Sequence, residues 1–216
     1  GLHQHDDLLP AVGVVRSNWH LPGGTIETSH VRVHKSNPHV RLNVNAIAQG
    51  YSVDVLAAYL EGLGCKNYMV EVGGEIRTRG VNPKGNFWRI GVDRPERGNN
   101  VPGRELQVII NMHDRSLATS GNYRKFYMKD GVMITHSIDP ATGFPKESNL
   151  LSVSILTDEC MTADAYATAC MVMGLDKARQ FIEKQKGVDA YFIYGNELGN
   201  YQVWHTDGLK KYIEMP

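Results

Sequence analysis

The sequence predicts an α+β fold. Three observations carry that expectation: helical periodicity near residues 46–63 and again beyond residue 160, a series of short β-rich runs between them, and no regular strand–helix alternation of the kind that builds a parallel sheet. No internal repeat or low-complexity stretch interrupts the chain, so a single domain over residues 1–216 is expected.

The elements follow in order. Residues 8–35 are irregular, with a Gly23-Gly24 turn and an alternating fragment, Val31-Arg32-Val33, that reads as strand. A second strand is expected over residues 40–44. Ile47, Val53, Leu56, Ala57, Leu60 and Leu63 recur near the helical period, which predicts a helix over 46–63 stopped by Gly64. Residues 68–72 and 75–79 read as a hairpin closed by Gly73-Gly74. Further strands are expected at 88–92, 106–112, 123–129, 132–138 and 150–156, each bounded by turn residues such as Asn82-Pro83-Lys84-Gly85 and Asp139-Pro140-Ala141-Thr142-Gly143. Ala and Met dominate residues 161–173, predicting a helix ended by Gly174; a third helix is expected over 175–186 and a closing hairpin over 190–194 and 201–205.

Composition limits the functions available. The 216 residues carry 23 basic and 23 acidic side chains, so no broad positive field draws nucleic-acid phosphates or anionic lipid. No apolar run nears the ~20 residues needed to cross a bilayer. The opening Gly1-Leu2-His3-Gln4-His5-Asp6-Asp7 lacks the features of a signal peptide, which reads as a mature, trimmed or cytosolic chain. Cys65, Cys160 and Cys170 are odd in number and lack CxxC spacing, which excludes both a disulfide framework and a thiolate zinc site. His3, His5, His30 and His34 offer no consistent third ligand and read as surface histidines.

Four segments carry candidate chemistry. Asp164 and Thr168 stand four apart on a predicted helix and share a face, a pair of hard oxygen donors suited to Mg²⁺; the alternative is an Asp favoured by the helix dipole and a Thr bonding its own helix. His136 lies near the end of a strand that leads into a Pro/Gly-closed turn, where it is placed either to take a proton near neutral pH or to bond the turn. Ala118-Thr119-Ser120-Gly121-Asn122-Tyr123-Arg124 is a small-residue stretch, either a phosphate-approaching backbone or a plain turn. Residues 43–51 form a strand-to-helix junction whose first N–H groups are open to an anion, as at any such junction.

In this order the segments resemble the ApbE family of FAD:protein FMN transferases. The resemblance lies in Leu42-Asn43-Val44-Asn45-Ala46-Ile47-Ala48-Gln49-Gly50-Tyr51-Ser52-Val53-Asp54, Glu71-Val72-Gly73-Gly74-Glu75, Thr119 to Arg124, His136 to Gly143 and Ala163 to Ala169, and it runs from about Leu8 to the C-terminus. Asn43 stands where the family usually has Asp, and Gln49 where it usually has Lys. The family fold also has an N-terminal third that this chain is expected to lack.

The resemblance implies a T-fold-related architecture and a Mg²⁺-dependent enzyme. Such an enzyme splits FAD, passes FMN to a Thr or Ser hydroxyl of a target flavoprotein and releases AMP. It implies metal ligation by Asp164, Thr168 and the backbone carbonyl of Ala46. FAD contacts would come from Asn43, Gln49, Ser120, Gly121 and the backbone at Ile138, with His136 as general base. By analogy the expected location is the bacterial periplasm, on a lipoprotein whose anchoring Cys is not in this chain. Two other activities share these motifs: hydrolysis of FAD to FMN and AMP, and non-catalytic FAD binding.

Overall fold

The computed structural model describes residues 43–95, 103–121, 148–196 and 200–216, together with Val12–Val14, Val33–Lys35, His39, Phe126–Lys129 and Val132–Thr135. Its contacts divide the chain into two units: Gly1–Asn43 with Ile138–Phe144, and Val44–Ser137 with Pro145–Pro216. In the first unit, β1 (Val12–Val14) pairs antiparallel with β2 (Val33–Lys35).

The second unit opens on α1 (Asn45–Gly62), followed by the hairpin β3 (Tyr68–Val72) and β4 (Glu75–Arg79), then β5 (Trp88–Asp93) and β6 (Leu106–Met112). Next come β7 (Ser116–Gly121), β8 (Phe126–Lys129), β9 (Val132–Thr135) and β10 (Leu150–Thr157). Two helices, α2 (Cys160–Met173) and α3 (Leu175–Ile182), precede β11 (Asp189–Gly195), β12 (Tyr201–His205), a 3-10 turn at Asp207–Lys211 and β13 (Ile213–Glu214). Antiparallel pairing gives a six-stranded sheet in the order β12-β11-β10-β7-β4-β3 and a three-stranded sheet in the order β13-β6-β5, while β8 pairs with β9.

The six-stranded sheet is covered on both faces, and its strands show why. Along β10 and β11, Ile155, Ala190 and Phe192 belong to a core shared with Ala163, Ala167 and Cys170 of α2, whereas Leu156, Tyr191 and Ile193 point the other way into a core shared with Val108, Ile110 and Met112 of β6. Period-2 alternation thus sends neighbouring apolar residues into different cores, and β10 is buried along nearly its whole length. The small residues of α2 let its backbone approach the sheet at Ala118. A third core packs Val53 and Ala57 of α1 against Tyr68, Val70 and Cys160.

Most elements expected from sequence are present, with shifts of a residue or so at several ends, but α3 stops at Ile182, four residues short of its expected end. Two expectations need correction. Residues 40–42 lie outside the described residues, but Asn43 and Val44 are not strand, and Val44 caps α1. The small-residue stretch after Ser116 is not a turn as far as Gly121: it is β7, lying between β10 and β4. Small side chains are favoured there because α2 presses on one face of that strand. Residues 122–125 and 136–138 lie outside the described residues, as does the turn at 139–143.

Candidate functional site

The site grows out of a mismatch between strand lengths. β7 pairs with β10 along its whole length, Ser152 facing Gly121 at the far end, but pairs with β4 only at Ser116–Arg77 and Leu117–Ile76. Beyond Leu117 the second edge of β7 therefore lacks a strand neighbour from β4, and a cleft of about 770 Å³ lies against Thr119, Ser120 and Gly121. Its other walls are Asn45 and Gln49 of α1, the Gly73-Gly74 turn with Glu71 and Glu75, Ile90 to Asp93 of β5, and Asp164, Thr168 and Met171 of α2.

Two helices meet at this cleft with almost no gap. A Cβ on Gly50 would stand 2.5 Å from the carbonyl oxygen of Cys160, so only glycine permits the α1–α2 approach seen here. That approach lets the Gly50 N–H donate to Asp164 Oδ2 at 3.0 Å across 114 residues of sequence. In an ordinary helix the Gly50 N–H would serve the Ala46 carbonyl, so Asp164 competes for the donor of that carbonyl. One turn further along α1, Asp54 accepts bonds from the first N–H groups of α2, Cys160 N at 3.0 Å and Met161 N at 2.8 Å, and from Arg77 Nη1 at 2.7 Å. The N-cap of α2, Glu159, makes no side-chain cap bond, so Asp54 supplies from another helix the acceptor that an N-cap normally provides.

The electrostatics are one-sided. Glu71, Glu75, Asp93 and Asp164 line the cleft, and among the described residues no lysine or arginine does. Asp164, 4% exposed, has its carboxyl raised by burial, an effect opposed by the Gly50 N–H. Glu75 is pushed up to about 7, first by burial, then by the negative charge of Asp164; its own backbone N–H acts the other way and Glu71 adds to the rise. Its Oε2 is buried without a hydrogen-bond partner among the described residues. Ser120 Oγ of β7 and Thr168 Oγ1 of α2 lie 3.2 Å apart, and Thr119 Oγ1 lies 2.8 Å from Ser154 Oγ. A buried carboxylate, an orphaned carboxylate oxygen and hydroxyls, with no cation among the described side chains, are the donor chemistry of a hard divalent cation.

Of the residues singled out from sequence, Gln49, Ser120, Gly121, Asp164 and Thr168 come together in this one cleft. Ala46 does not itself line it but sits in the first turn of α1, four residues before Gly50. Asn43 is exposed and belongs to the other unit. His136 and Ile138 lie outside the described residues. Glu75 and Thr119 also line the cleft, two residues that the sequence motifs contain without giving either a role. The signal available for Glu75 was a carboxylate placed immediately after a Gly-Gly turn, where a side chain is held rigidly.

A mixed fold with an acidic cleft at a helix–helix crossing defines a class, and sequence comparison identifies it: the ApbE family pattern matches residues 3–192, and the chain belongs to that family. Among its relatives, the FAD:protein FMN transferase of Vibrio cholerae is 44% identical over 179 residues, covering 82% of this chain and 49% of that protein. The Escherichia coli K12 protein of the same name is 32% identical over 189 residues, 87% of this chain and 52% of that one. The chain thus spans about half the length of these curated relatives. Among solved structures, the flavin transferase ApbE from Vibrio cholerae superimposes with a TM-score of 0.73 at 36% identity, over 87% of this chain and 57% of that one. The apo form of the Pseudomonas stutzeri flavinyl transferase ApbE gives a TM-score of 0.73 at 31% identity, over 85% and 54%.

Proposed function

We propose that this chain carries the catalytic cleft of a Mg²⁺-dependent flavin transferase that moves FMN from FAD onto a Thr or Ser hydroxyl of a target flavoprotein and releases AMP. The observation that carries the proposal is the capture of the Gly50 N–H by Asp164 Oδ2 at 3.0 Å. It brings Asp164 beside the start of α1, so that Asp164, Thr168 and the carbonyl of Ala46 are available as three hard oxygen donors. A cation bound there supplies counter-charge for the pyrophosphate and the departing AMP.

The remaining steps belong to the chain's own groups. Ser120 and Gly121, on the edge of β7 beyond its pairing with β4, contact the nucleotide, and Gln49 contacts the flavin nucleotide from α1. His136 takes the proton of the acceptor hydroxyl as its oxygen bonds to the FMN-side phosphorus and the bond to the AMP oxygen breaks. The balance is one proton to the base and one AMP released per FMN transferred. By family kinship alone, the natural setting is a lipoprotein of the bacterial periplasm.

The test incubates the chain with FAD, Mg²⁺ and a target domain bearing a Thr or Ser acceptor, and reads intact mass alongside released AMP. A target heavier by one FMN with stoichiometric AMP is expected. AMP without an adduct would replace the transferase with an FAD pyrophosphatase. Neither product, with FAD bound, would make the chain a flavin-binding protein.

A further inference from the structure

Glu75 has no part in the chemistry above, yet it is the least satisfied carboxylate of the cleft. It begins β4 directly after the Gly73-Gly74 turn and is 7% exposed, while its Oε2 has no hydrogen-bond partner among the described residues. Its neighbours in the wall are each anchored: Glu71 Oε1 accepts from Gly74 N at 2.9 Å, Asp93 Oδ1 from Gly103 N at 2.8 Å, and Asp164 Oδ2 from Gly50 N at 3.0 Å. Glu75 is also held in place. Gly73, at φ +66°, has the Gln49 amide nitrogen 1.9 Å from where a Cβ would stand, so the turn is packed directly against α1 and fixes where β4 begins.

A carboxylate oxygen buried without a partner is costly, and such groups in native proteins mark a missing ion, water or ligand. We propose that Glu75 faces the divalent cation, either binding it or accepting a hydrogen bond from one of its waters, so that the ion is held between Asp164 and Glu75. This rests on the assignment of the cation to Asp164. A cation fits better than an uncharged donor from the nucleotide, because Asp164 and Glu75 line one cleft with no lysine or arginine among its described residues and would otherwise confront a pyrophosphate with uncompensated negative charge. Mg²⁺ usually keeps several waters, which allows Glu75 to act at one remove from the metal.

Mn²⁺ titration followed by electron paramagnetic resonance, without nucleotide, tests this in the wild-type chain, Glu75→Gln and Asp164→Asn, beside thermal unfolding of each without metal. Glu75→Gln is expected to weaken Mn²⁺ binding about 10- to 100-fold, the usual range for outer-shell partners, while unfolding at the same or a higher temperature than wild type. Asp164→Asn is expected to lose the ion altogether. Wild-type affinity in Glu75→Gln together with loss in Asp164→Asn would refute the role of Glu75 and leave the cation site standing. Wild-type affinity in Asp164→Asn would remove the site itself, and Glu75 with it. Should Glu75→Gln fail to fold, Glu75→Asp keeps the charge and withdraws the oxygens by one methylene; unchanged affinity there would equally overturn the proposal.

Discussion

Replacing Gly50 by Ala tests how closely the site depends on the α1–α2 crossing. The added Cβ would stand 2.5 Å from the Cys160 oxygen, 2.8 Å from the Cys160 carbonyl carbon and 2.8 Å from the Met161 Cα, all backbone atoms that cannot rotate aside. Contacts of ~3.5 Å or more are restored only if the first turn of α2 retreats by about 1 Å. Overpacking of this kind costs ~1–3 kcal/mol, and the better helix propensity of Ala returns up to ~1 kcal/mol, leaving a net loss of about 1–2 kcal/mol. At ~2–4 °C per kcal/mol for a chain of this size, the melting temperature should fall by about 2–8 °C. The larger effect is on the site, because the same retreat would carry the 3.0 Å bond from Gly50 N to Asp164 beyond hydrogen-bond range. Mn²⁺ affinity should therefore drop more than stability does. Gly62→Ala is the control: it lies in the same helix, its Cβ would meet nothing within 4 Å, and it should be neutral or slightly stabilising. Thermal unfolding and Mn²⁺ titration of both variants decide the matter; a Gly50→Ala chain with wild-type stability and wild-type Mn²⁺ affinity would refute the reasoning.

Further expectations follow from the neighbouring contacts. Burial lifts Glu75 from 4.5 to about 7, so between those values the folded chain holds a proton that the unfolded chain has released; metal-free stability should fall as pH rises through that window, by at most on the order of 3 kcal/mol, and Glu75→Gln should flatten much of the slope in urea melts. Asp54→Ala removes the acceptor for two N–H groups of α2 and the partner of Arg77, and should cost about 2–3 kcal/mol in denaturant unfolding; equal stability of Asp54→Ala and Asp54→Asn would show that the tertiary cap contributes nothing. Gln49→Lys places a cation in the acidic cleft and should tighten FAD binding most clearly at low salt; calorimetry at two salt concentrations checks this, and equal or weaker affinity would show that residue 49 does not face the phosphates.

Much of this fold is legible where side chains signal their own periodicity. The hairpin of β3 and β4 has the bounds expected from its alternating runs and glycine turn, and α1 begins and ends within a residue of its predicted span. β7 is hidden because Ser-Leu-Ala-Thr-Ser-Gly has a single β-branched residue, Thr119, among small ones; what holds it in strand form is its place between β10 and β4 under the small residues of α2, a tertiary cause. The site divides in the same way. Asp164 and Thr168 are visible as a helical i,i+4 pair, but the Gly50–Asp164 bond joins residues 114 apart, and nothing near Gly50 in the sequence announces that its helix must touch another. Glu75 reads as an ordinary strand residue until the Gly73-Gly74 turn is packed on Gln49 and α2 lies alongside.

The most direct test of the cleft's role is anomalous diffraction from crystals of the chain grown with Mn²⁺ and FAD. A Mn²⁺ peak is expected in contact with the Asp164 carboxylate, beside Thr168, with the dinucleotide's pyrophosphate on the ion and the Thr119–Gly121 end of β7 alongside. FAD bound away from Asp164, or a cleft without Mn²⁺ at saturating metal and nucleotide, would contradict it.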